Sequence, residues 1–417
     1  MIETLQIPVI PPATALRRGR WVEVISHIDP RYGGLSATVP ALSLALSKLG
    51  FDVGVAAFCA PHENTTPEGF STGDPDHLSF WPAERTAWLT QSTELRGRFR
   101  DLLRDAQGIH IHGLWEQSTA IAASSARSLK VPYIVSAHGM LEPWALANRR
   151  LKKLVYSAFV ERKNVARASC LHALTQAEAN QYRHFGACGP IAVIPNAVTI
   201  PEGANSALFL DTFPLLRGKR LILFLGRLNR KKGLHLLLDA WTALGAYHNE
   251  AHLVLAGPDS DGLKTALETI IAERRLAESV SFPGMLGDEM KWSALASASA
   301  FVLPSHSEGL SVSVLEAMGM GLPVIVSRPC NMPEVATHDA GWQIEPALQP
   351  LIGALGEFLE CTESQNRQRG ARGAALIGSR YTWPVVAAQI AEVYNWLQGG
   401  KAPGTTEVLN GTEGLKS

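Results

Sequence analysis

Short apolar runs alternate with amphipathic stretches along most of the chain. The runs are rich in Val, Ile, Leu and Phe, which is typical of strands buried on both faces of a parallel sheet. Between them, apolar residues recur at the spacing of a helix face. This alternation predicts an α/β fold. The predicted strands are residues 20–26, 51–58, 108–112, 131–137, 169–174, 191–195, 220–225, 251–257, 280–284, 300–304 and 324–326, with a first helix at 35–49 and a long loop at 61–85.

The length of the chain indicates that these strands and helices form two domains. Its 417 residues exceed what one hydrophobic core usually organises, and each half predicts a doubly wound sheet. We predict an N-terminal domain over residues 1–198 and a C-terminal domain over residues 199–382. The apolar helix 383–398 is expected to pack back across the interface. The polar, glycine-containing residues 399–417 are expected to be disordered.

Composition limits the partners and the compartment. Lys plus Arg equals Asp plus Glu at 38 each, so the chain has no net charge that would attract nucleic acid. The five cysteines lack C-x-x-C spacing, which argues for a reducing compartment and against structural zinc. The first residues do not follow the signal-peptide pattern, and no apolar run is long enough to span a membrane. The sequence therefore predicts a cytoplasmic protein that binds no nucleic acid.

Two strand-to-helix loops could bind an anion. The first contains Gly33 and Gly34, and paired glycines let the backbone approach a ligand beside a helix N-terminus. It lacks the G-x-G-x-x-G pattern of dinucleotide sites, and a Gly-Gly turn is more often only a turn. The second loop, residues 226–233, includes Arg227 and Lys232. Guanidinium and ammonium groups together can neutralise a diphosphate.

Two glutamates follow the predicted strand 300–304. Glu308 lies in the strand-to-helix loop, and Glu316 lies about one turn inside the helix that starts near Ser311. Ligands of open α/β sheets bind at this edge. One carboxylate could accept hydrogen bonds from sugar hydroxyls, and the other could bind the hydroxyls of a ribose. The alternative is two solvated glutamates on an ordinary helix.

Three histidines lie at the ends of predicted strands. His110 and His112 are one residue apart and share a face. His138 opens the loop directly after strand 131–137, where a neutral imidazole could donate a hydrogen bond to a substrate hydroxyl. Metal binding by these histidines is the weaker interpretation, because no carboxylate or cysteine joins them at a ligand-like spacing.

Asp259 and Asp261 could hold a divalent metal on a nucleotide diphosphate. Arg227 and Lys232 already supply positive charge for that group, so the Asp-x-Asp pair is interpreted as part of a polar loop. We therefore expect no metal and no other cofactor.

Residues 148–167 carry seven cations and one acid, Glu161. The pattern predicts a helix that docks an apolar face on its own domain and turns a basic face outward. Contact with anionic lipid head groups is the alternative. The apolar residues at helical spacing are Leu151, Leu154, Val155, Ala158 and Phe159.

Together these motifs resemble the retaining glycosyltransferases of family 4, which have two Rossmann-like domains facing across a cleft, the GT-B fold. The resemblance runs from about residue 21 to residue 397. The long loop around His138, Ala-His-Gly-Met-Leu-Glu-Pro-Trp, is similar to that of bacterial members that build surface polysaccharides. The motifs that carry the resemblance are Gly33-Gly34, His138-Gly139, Ile194-Pro195-Asn196, and residues 226–233, 257–259 and 308–323.

The resemblance implies a retaining, metal-independent transfer of a sugar, commonly a hexose, from a nucleotide diphosphate to a hydroxyl group. The acceptor would be a carbohydrate or lipid-linked oligosaccharide on the N-terminal domain, in the assembly of bacterial exopolysaccharide, capsule or lipopolysaccharide. Peripheral contact with the inner face of the plasma membrane would suit such an acceptor. The implied donor-diphosphate residues are Gly33, Gly34, Arg227 and Lys232; Glu316 would bind the ribose, His138 and Glu308 the donor sugar, and Gly309, Leu310 and Ser311 would supply backbone donors.

The sequence departs from the family's motifs at two places, and two other functions are possible. Gly309-Leu310-Ser311 stands where many relatives have Gly-Phe-Gly, and Ala197 follows Asn196 where Gly is usual. A hydrolase or epimerase of the same fold would need a group that activates water, and only His138 and Glu308 offer themselves. A catalytically inactive nucleotide-sugar-binding module would be expected to lack one of the four charged site residues, Arg227, Lys232, Glu308 and Glu316, and all are present.

Overall fold

Two β-sheets with surrounding helices organise the protein. The computed structural model describes residues 20–26, 34–59, 78–82, 90–147, 150–259 and 261–410. Within them lie an eight-stranded and a six-stranded sheet. The strands are β1 Arg20–Ile25, β2 Val53–Cys59, β3 Leu78–Pro82, β4 Ala106–His112, β5 Tyr133–Ser136, β6 Cys170–Ala173, β7 Ile191–Val193, β8 Arg220–Leu225, β9 Ala251–Ala256, β10 Val280–Gly284, β11 Ala300–Leu303, β12 Val324–Ser327, β13 Gly341–Ile344 and β14 Glu407–Leu409.

Helices fill the connections between the strands. Short 3₁₀ turns occur at Pro214–Leu216, Arg230–Lys232, Gly245–Tyr247 and Arg328–Cys330, and a π-helical turn at Ser157–Glu161. The α-helices are α1 Leu35–Lys48, α2 Thr90–Leu103, α3 Gln117–Leu129, α4 Pro143–Ala147, α5 Arg150–Tyr156, α6 Arg162–Ala166, α7 Gln176–Phe185, α8 Ala207–Thr212, α9 Leu234–Ala243, α10 Lys264–Glu273, α11 Asp288–Ser297, α12 Val312–Gly319, α13 Glu334–Thr337, α14 Leu348–Glu360, α15 Glu363–Arg380 and α16 Trp383–Leu397.

Both sheets have the strand order of doubly wound folds. The first runs β14-β7-β6-β5-β4-β1-β2-β3, and the second runs β10-β9-β8-β11-β12-β13. All neighbouring pairs are parallel except β14 with β7. In each sheet the strand order reverses beside the first strand of that half, β1 or β8, and ligands of such sheets bind at this point.

Two strands of the structure lie where the sequence predicted no strand. Strand β3 lies inside residues 61–85, which were predicted to be a loop, and it pairs with β2. Strand β14 lies inside residues 399–417, which were predicted to be disordered, and it pairs antiparallel with β7. The side chain of Arg183 donates a hydrogen bond to the carbonyl of Leu409, which helps to hold β14. Both are short edge strands whose order depends on pairing with distant residues.

Helix α16 returns to the N-terminal sheet. The ring of Tyr394 stacks on that of Trp21 with centroids 3.6 Å apart. Apolar residues of α16 share a core with residues of α1 and β2. The chain crosses between the domains at two adjacent points, because Val198 and Thr382 form a parallel bridge and Val198 N–H donates to the Tyr381 carbonyl. The boundaries at residues 198 and 382 stay predictions.

The basic segment, residues 148–167, is oriented differently from the prediction. Its inward face contains Ser157 and Glu161, whereas Leu154, Val155 and Phe159 are 62%, 60% and 80% exposed. The buried Glu161 carboxylate accepts a hydrogen bond from the backbone N–H of Trp115, so polar contacts occupy the inward face. Leu154, Val155 and Phe159, which were expected to dock on the domain, therefore point to solvent. Residues 148 and 149 of this segment lie outside the described residues.

None of the helices in the described part of the chain is both long enough and apolar enough to span a membrane.

Candidate active site

Two loops from opposite domains meet at a pair of glycines. The first loop follows β5 and contains His138 and Gly139, and the second follows β11 and contains Glu308 and Gly309. A Cβ atom added to Gly139 would lie 2.8 Å from the Cα of Gly309. His138 and Gly139 also have φ of 52° and 76°, the left-handed region that glycine adopts most easily. The backbones therefore touch here, and His138 and Glu308 lie on adjoining loops.

A buried carboxylate supports the His138 loop. Glu178 accepts a hydrogen bond from the backbone N–H of Gly139 and another from that of Leu174, each at 2.6 Å. Burial raises the pKa of Glu178 to about 7, although both hydrogen bonds oppose the shift. Glu178 sits in the first turn of α7, whose N-terminus is capped by the side chain of Thr175. The helix thereby fixes the position of Gly139.

Glu142 and Asn331 connect the two domains beside the glycines. The Asn331 side-chain amide donates to Glu142 Oε1 at 3.2 Å and to the carbonyl of Gly309 at 3.1 Å. Ser307 is hydrogen-bonded to the other oxygen of Glu142 at 3.5 Å. Glu142 belongs to the long His138 loop noted in the sequence, but no sequence signal pairs it with Asn331. Sequence reasoning missed both residues.

Glu308 is a buried carboxylate beside a lysine. Its Oε1 atom lies 2.8 Å from Nζ of Lys232, and it accepts a hydrogen bond from Ser305 Oγ at 2.7 Å. Burial would raise the pKa of Glu308, but the charges of Lys232 and Lys231 outweigh burial and hold this pKa below its usual value. Glu308 is therefore ionised near neutral pH and can accept hydrogen bonds from hydroxyl groups.

The cations of the basic loop after β8, residues 226–233, differ in their exposure to solvent. Arg227 is exposed, whereas Lys232 is buried. Gly233 has φ of 73°, and an added Cβ would lie 2.2 Å from the carbonyl oxygen of Pro304. The loop therefore packs closely against the residue that follows β11. Burial lowers the pKa of Lys231, a third cation here, which the sequence reasoning did not single out.

Helix α12 carries the second predicted glutamate, Glu316. Glu316 Oε1 lies 2.9 Å from Nζ of Lys291. Burial raises the pKa of Glu316, and the charge of Lys291 opposes that shift. Leu310 is buried and Ser311 is the N-cap residue of α12.

The predicted glycine loop of the N-terminal domain faces the start of α12. A Cβ added to Gly34 would lie 3.8 Å from Cγ2 of Val312. Gly33 lies outside the described residues. Of the predicted diphosphate residues, Gly34 therefore lies beside the first residue of α12, and Lys232 lies beside Glu308.

The strand-end histidines form a buried hydrogen-bonded cluster. His112 Nδ1 lies 2.9 Å from His138 Nε2, and His112 Nε2 lies 2.5 Å from Glu23 Oε2. His110 Nε2 lies 2.7 Å from Ser136 Oγ. Burial lowers the pKa of both His110 and His138 well below the usual histidine value. His138 is therefore neutral near pH 7.

Two groups of side chains bear on metal binding. Among the described residues, Glu23, His110 and His112 are the one group whose ligand atoms are close enough to hold an ion. Their nitrogen and oxygen atoms make hydrogen bonds to one another and to neighbouring side chains. Asp259 accepts hydrogen bonds from the backbone N–H groups of Leu263 and Lys264, so its carboxylate caps the start of α10.

Two family models match the chain. The model described as "Glycosyl transferase 4-like domain" matches residues 33–197. The model described as "Glycosyl transferases group 1" matches residues 212–372, and the two together account for most of the chain. The chain belongs to the family 4 glycosyltransferases. Each model lies in one half of this glycosyltransferase.

Named relatives are similar to parts or to most of this glycosyltransferase. The phosphatidyl-myo-inositol mannosyltransferase of Mycobacterium tuberculosis is 32% identical over 218 residues, which are 50% of this chain and 55% of that protein. The match thus spans about half of that relative's length. The phosphatidyl-myo-inositol mannosyltransferase of Mycolicibacterium smegmatis is 26% identical over 386 residues, 88% of this chain and 91% of that protein.

Solved structures show the fold of this glycosyltransferase. Sucrose-phosphate synthase from Thermosynechococcus elongatus has a TM-score of 0.76 at 20% identity and covers 92% of this chain and 100% of its own. Anabaena Alr3699/HepE, in complex with UDP and glucose, has a TM-score of 0.72 at 18% identity, with 91% and 100% covered. The predicted fold of two Rossmann-like domains facing across a cleft, GT-B, is confirmed.

Proposed function

We propose that this family 4 glycosyltransferase transfers a hexose from a nucleotide diphosphate to a hydroxyl group of an acceptor, with retention and without a metal. The observation that carries the proposal is the contact between the His138 and Glu308 loops. It brings an imidazole and an ionised carboxylate to the same part of the cleft, beside Lys232. Imidazole and carboxylate suit sugar hydroxyls, and the ammonium group suits a diphosphate.

Positive charge around the proposed diphosphate site would supply most of the catalysis. As the bond to the sugar breaks, negative charge builds on the leaving diphosphate. Lys232 is buried and Lys231 is half-buried, and a preorganised donor in such a site is commonly worth ~3 kcal/mol of transition-state stabilisation. The capping role of Asp259 supports metal independence, because hydrogen bonds to backbone N–H groups already occupy its carboxylate.

The donor, the acceptor and the pathway are inferred from relatives. Several relatives are described as mannosyltransferases, and the HepE structures contain UDP or UDP-glucose. We therefore infer a nucleotide-linked hexose as the donor. A carbohydrate or lipid-linked acceptor fits the phosphatidyl-myo-inositol named for the mycobacterial relatives, and the assembly of a bacterial surface polysaccharide is the inferred context.

A donor panel tests the proposal. The protein is incubated with UDP- and GDP-linked hexoses, with and without oligosaccharide and lipid-linked acceptors, in the presence of a strong chelator. We expect release of nucleoside diphosphate that depends on the acceptor, and a product whose anomeric configuration by NMR matches the donor. Free sugar without acceptor would indicate a hydrolase, sugar isomerisation an epimerase, and binding without turnover an inactive module. Activity that needs added manganese would contradict metal independence.

We further propose that the basic segment contacts an anionic membrane beside the acceptor site. Leu154, Val155 and Phe159 are exposed, and the exposed Arg162 and Lys163 begin helix α6, directly after the turn that contains Phe159. Exposed apolar side chains flanked by cations favour insertion among anionic lipid head groups.

A further inference from the structure

A chain of buried hydrogen bonds leads from helix α16 to the proposed sugar-binding histidine. The Tyr394 hydroxyl donates to Glu23 Oε1 at 2.6 Å. Glu23 Oε2 lies 2.5 Å from His112 Nε2, and His112 Nδ1 lies 2.9 Å from His138 Nε2. Tyr394, Glu23 and His112 are buried and His138 is partly buried, and Glu23 sits among the apolar residues of β1 that follow Arg20.

The order of these contacts determines which nitrogen of each ring carries a proton. A neutral imidazole has one donor and one acceptor nitrogen. The Glu23 carboxylate accepts from Tyr394 and can accept from His112, so His112 Nε2 carries the proton and His112 Nδ1 is an acceptor. His138 Nε2 then donates to His112 Nδ1. His138 Nδ1 keeps its lone pair.

The remaining nitrogen of His138 has no hydrogen-bond partner. His138 Nδ1 is buried and unpaired in the structure. Leaving such an atom unsatisfied costs on the order of 1–3 kcal/mol, so a ligand that supplies a hydroxyl donor would recover that energy. This is the reverse of the direction expected from the sequence, in which His138 would donate to the substrate.

We propose that Glu23 and His112 are positioning residues, which fix His138 in the tautomer whose Nδ1 accepts a hydrogen bond from a donor-sugar hydroxyl. The inference rests on the proposed function, because it takes the donor sugar as the ligand of His138. The tautomer itself is a property of the free protein. Its measurement is therefore independent of whether the protein transfers a sugar.

The first test is NMR of the full-length protein labelled with ¹⁵N-histidine, without ligand. His138→Gln assigns the His138 signals by their loss. We expect His138 to carry its proton on Nε2 in the wild type, and a mixture of tautomers in His112→Leu. A proton on Nδ1 of wild-type His138 would overturn the proposal, since it would mean that His112 donates to His138.

The second test is kinetic and uses the donor identified by the panel. His112→Leu should lower kcat by roughly 10- to 100-fold, the effect of removing a group that orients a working side chain, while the KM of the donor changes little. His112→Asn should recover most of the loss, because its amide oxygen can accept the hydrogen bond from His138 Nε2.

His110→Leu is the matched control. His110 is a neighbouring, equally buried histidine on β4, but its hydrogen bonds go to Ser136, Tyr394 and His172 rather than to His112 or His138. We expect the control to lower Tm by as much as His112→Leu, with a much smaller loss of kcat. Equal losses of kcat and of Tm in both variants would show a purely structural role and refute the positioning role. If no donor is turned over while the tautomers behave as expected, the proposed function fails and the assignment of the tautomer stands.

Discussion

Nζ of Lys232 lies 2.8 Å from Oε1 of Glu308, so two residues with different proposed targets form one buried ion pair. The proposed diphosphate ligand and the proposed sugar ligand are thus coupled before any donor binds. A donor would insert its diphosphate beside Lys232 and its hydroxyl groups beside Glu308. Each side chain would then exchange part of this ion pair for contacts with the donor.

The ion pair predicts different outcomes for its two members. Glu308→Gln should lower turnover by about 100-fold or more while the affinity for free nucleoside diphosphate stays at or above the wild-type value, because Lys232 is released for the diphosphate. Lys232→Met should lower both turnover and nucleotide affinity. It should also lower Tm, because Glu308 is left buried without its partner. Titration calorimetry and steady-state kinetics measure these effects.

Arg230→Ala is the control for this pair. Arg230 is exposed on the same loop, so its loss should change turnover only slightly. Wild-type turnover in Glu308→Gln would remove Glu308 from the active site. Equal effects of Lys232→Met and Arg230→Ala would show that only the general charge of the loop matters.

The contact between Gly139 and Gly309 predicts that a single methyl group blocks closure of the cleft. A Cβ added to Gly309 would lie 3.0 Å from the backbone nitrogen of Gly139. Gly309 does not have positive φ, so Gly309→Ala adds this contact without backbone strain. We expect turnover to fall by about tenfold or more, since closure excludes water and completes the site. Tm should change little, and steady-state kinetics measures the loss of turnover.

Gly353→Ala provides the comparison. Gly353 is exposed on α14, and an added Cβ would meet no atom within 4 Å. This substitution should leave turnover unchanged and raise stability by about 0.5–1 kcal/mol, because alanine favours the helix. Full turnover in Gly309→Ala would mean that the two loops do not need this close approach.

The exposed apolar face of the basic segment predicts binding to anionic vesicles. Phe159→Ser should weaken co-sedimentation by about tenfold or more, because burial of a phenylalanine side chain is worth ~1.5–3 kcal/mol. Arg162→Gln and Lys163→Gln should each weaken binding at low salt, by ~1 kcal/mol per cation. Leu215→Ser is the control, because Leu215 is 88% exposed and lies in the C-terminal half. Equal binding of all four variants, or none by the wild type, would contradict this surface.

Apolar runs predicted the central strands well, because a strand that is buried on both faces consists of consecutive apolar residues. Strand β8 was predicted at its observed residues, and β11 differs by one residue at its end. Strands β3 and β14 were missed because a short edge strand is specified by its distant partner. The apolar face of the basic segment was misassigned for a similar reason. Periodicity locates an apolar face but does not say whether protein covers it.

The candidate site was only partly predictable for the same physical reason. His138 and Glu308 could be found because each follows a buried strand at the ligand-binding edge. Glu23 is separated by 89 residues from His112, so no local pattern joins them. The available signal was a carboxylate within the apolar strand β1, because a buried charge requires partners. Asn331 had no comparable signal.

The buried histidine cluster predicts a dependence of stability on pH. Burial lowers the pKa of His172 from 6.5 to about 4, because the charged ring would lose its hydration. Between these values the unfolded chain binds a proton that the folded protein does not. The contribution of His172 to stability is therefore complete above pH 6.5 and is lost as the pH falls toward 4.

His172→Gln isolates this effect, because the difference between wild type and variant removes the opposing contributions of residues such as Glu178. The variant should be destabilised most above pH 6.5, since the hydrogen bonds of His172 to Ser136 and to the Ile194 carbonyl are lost. As the pH falls to 4, its disadvantage should shrink by about 3 kcal/mol. Urea unfolding at a series of pH values measures the difference. His252→Gln should show the same sign, because burial also lowers the pKa of His252 to about 4. A difference for His172→Gln that stays constant from pH 4 to 8 would mean that this ring titrates alike in the folded and unfolded chain.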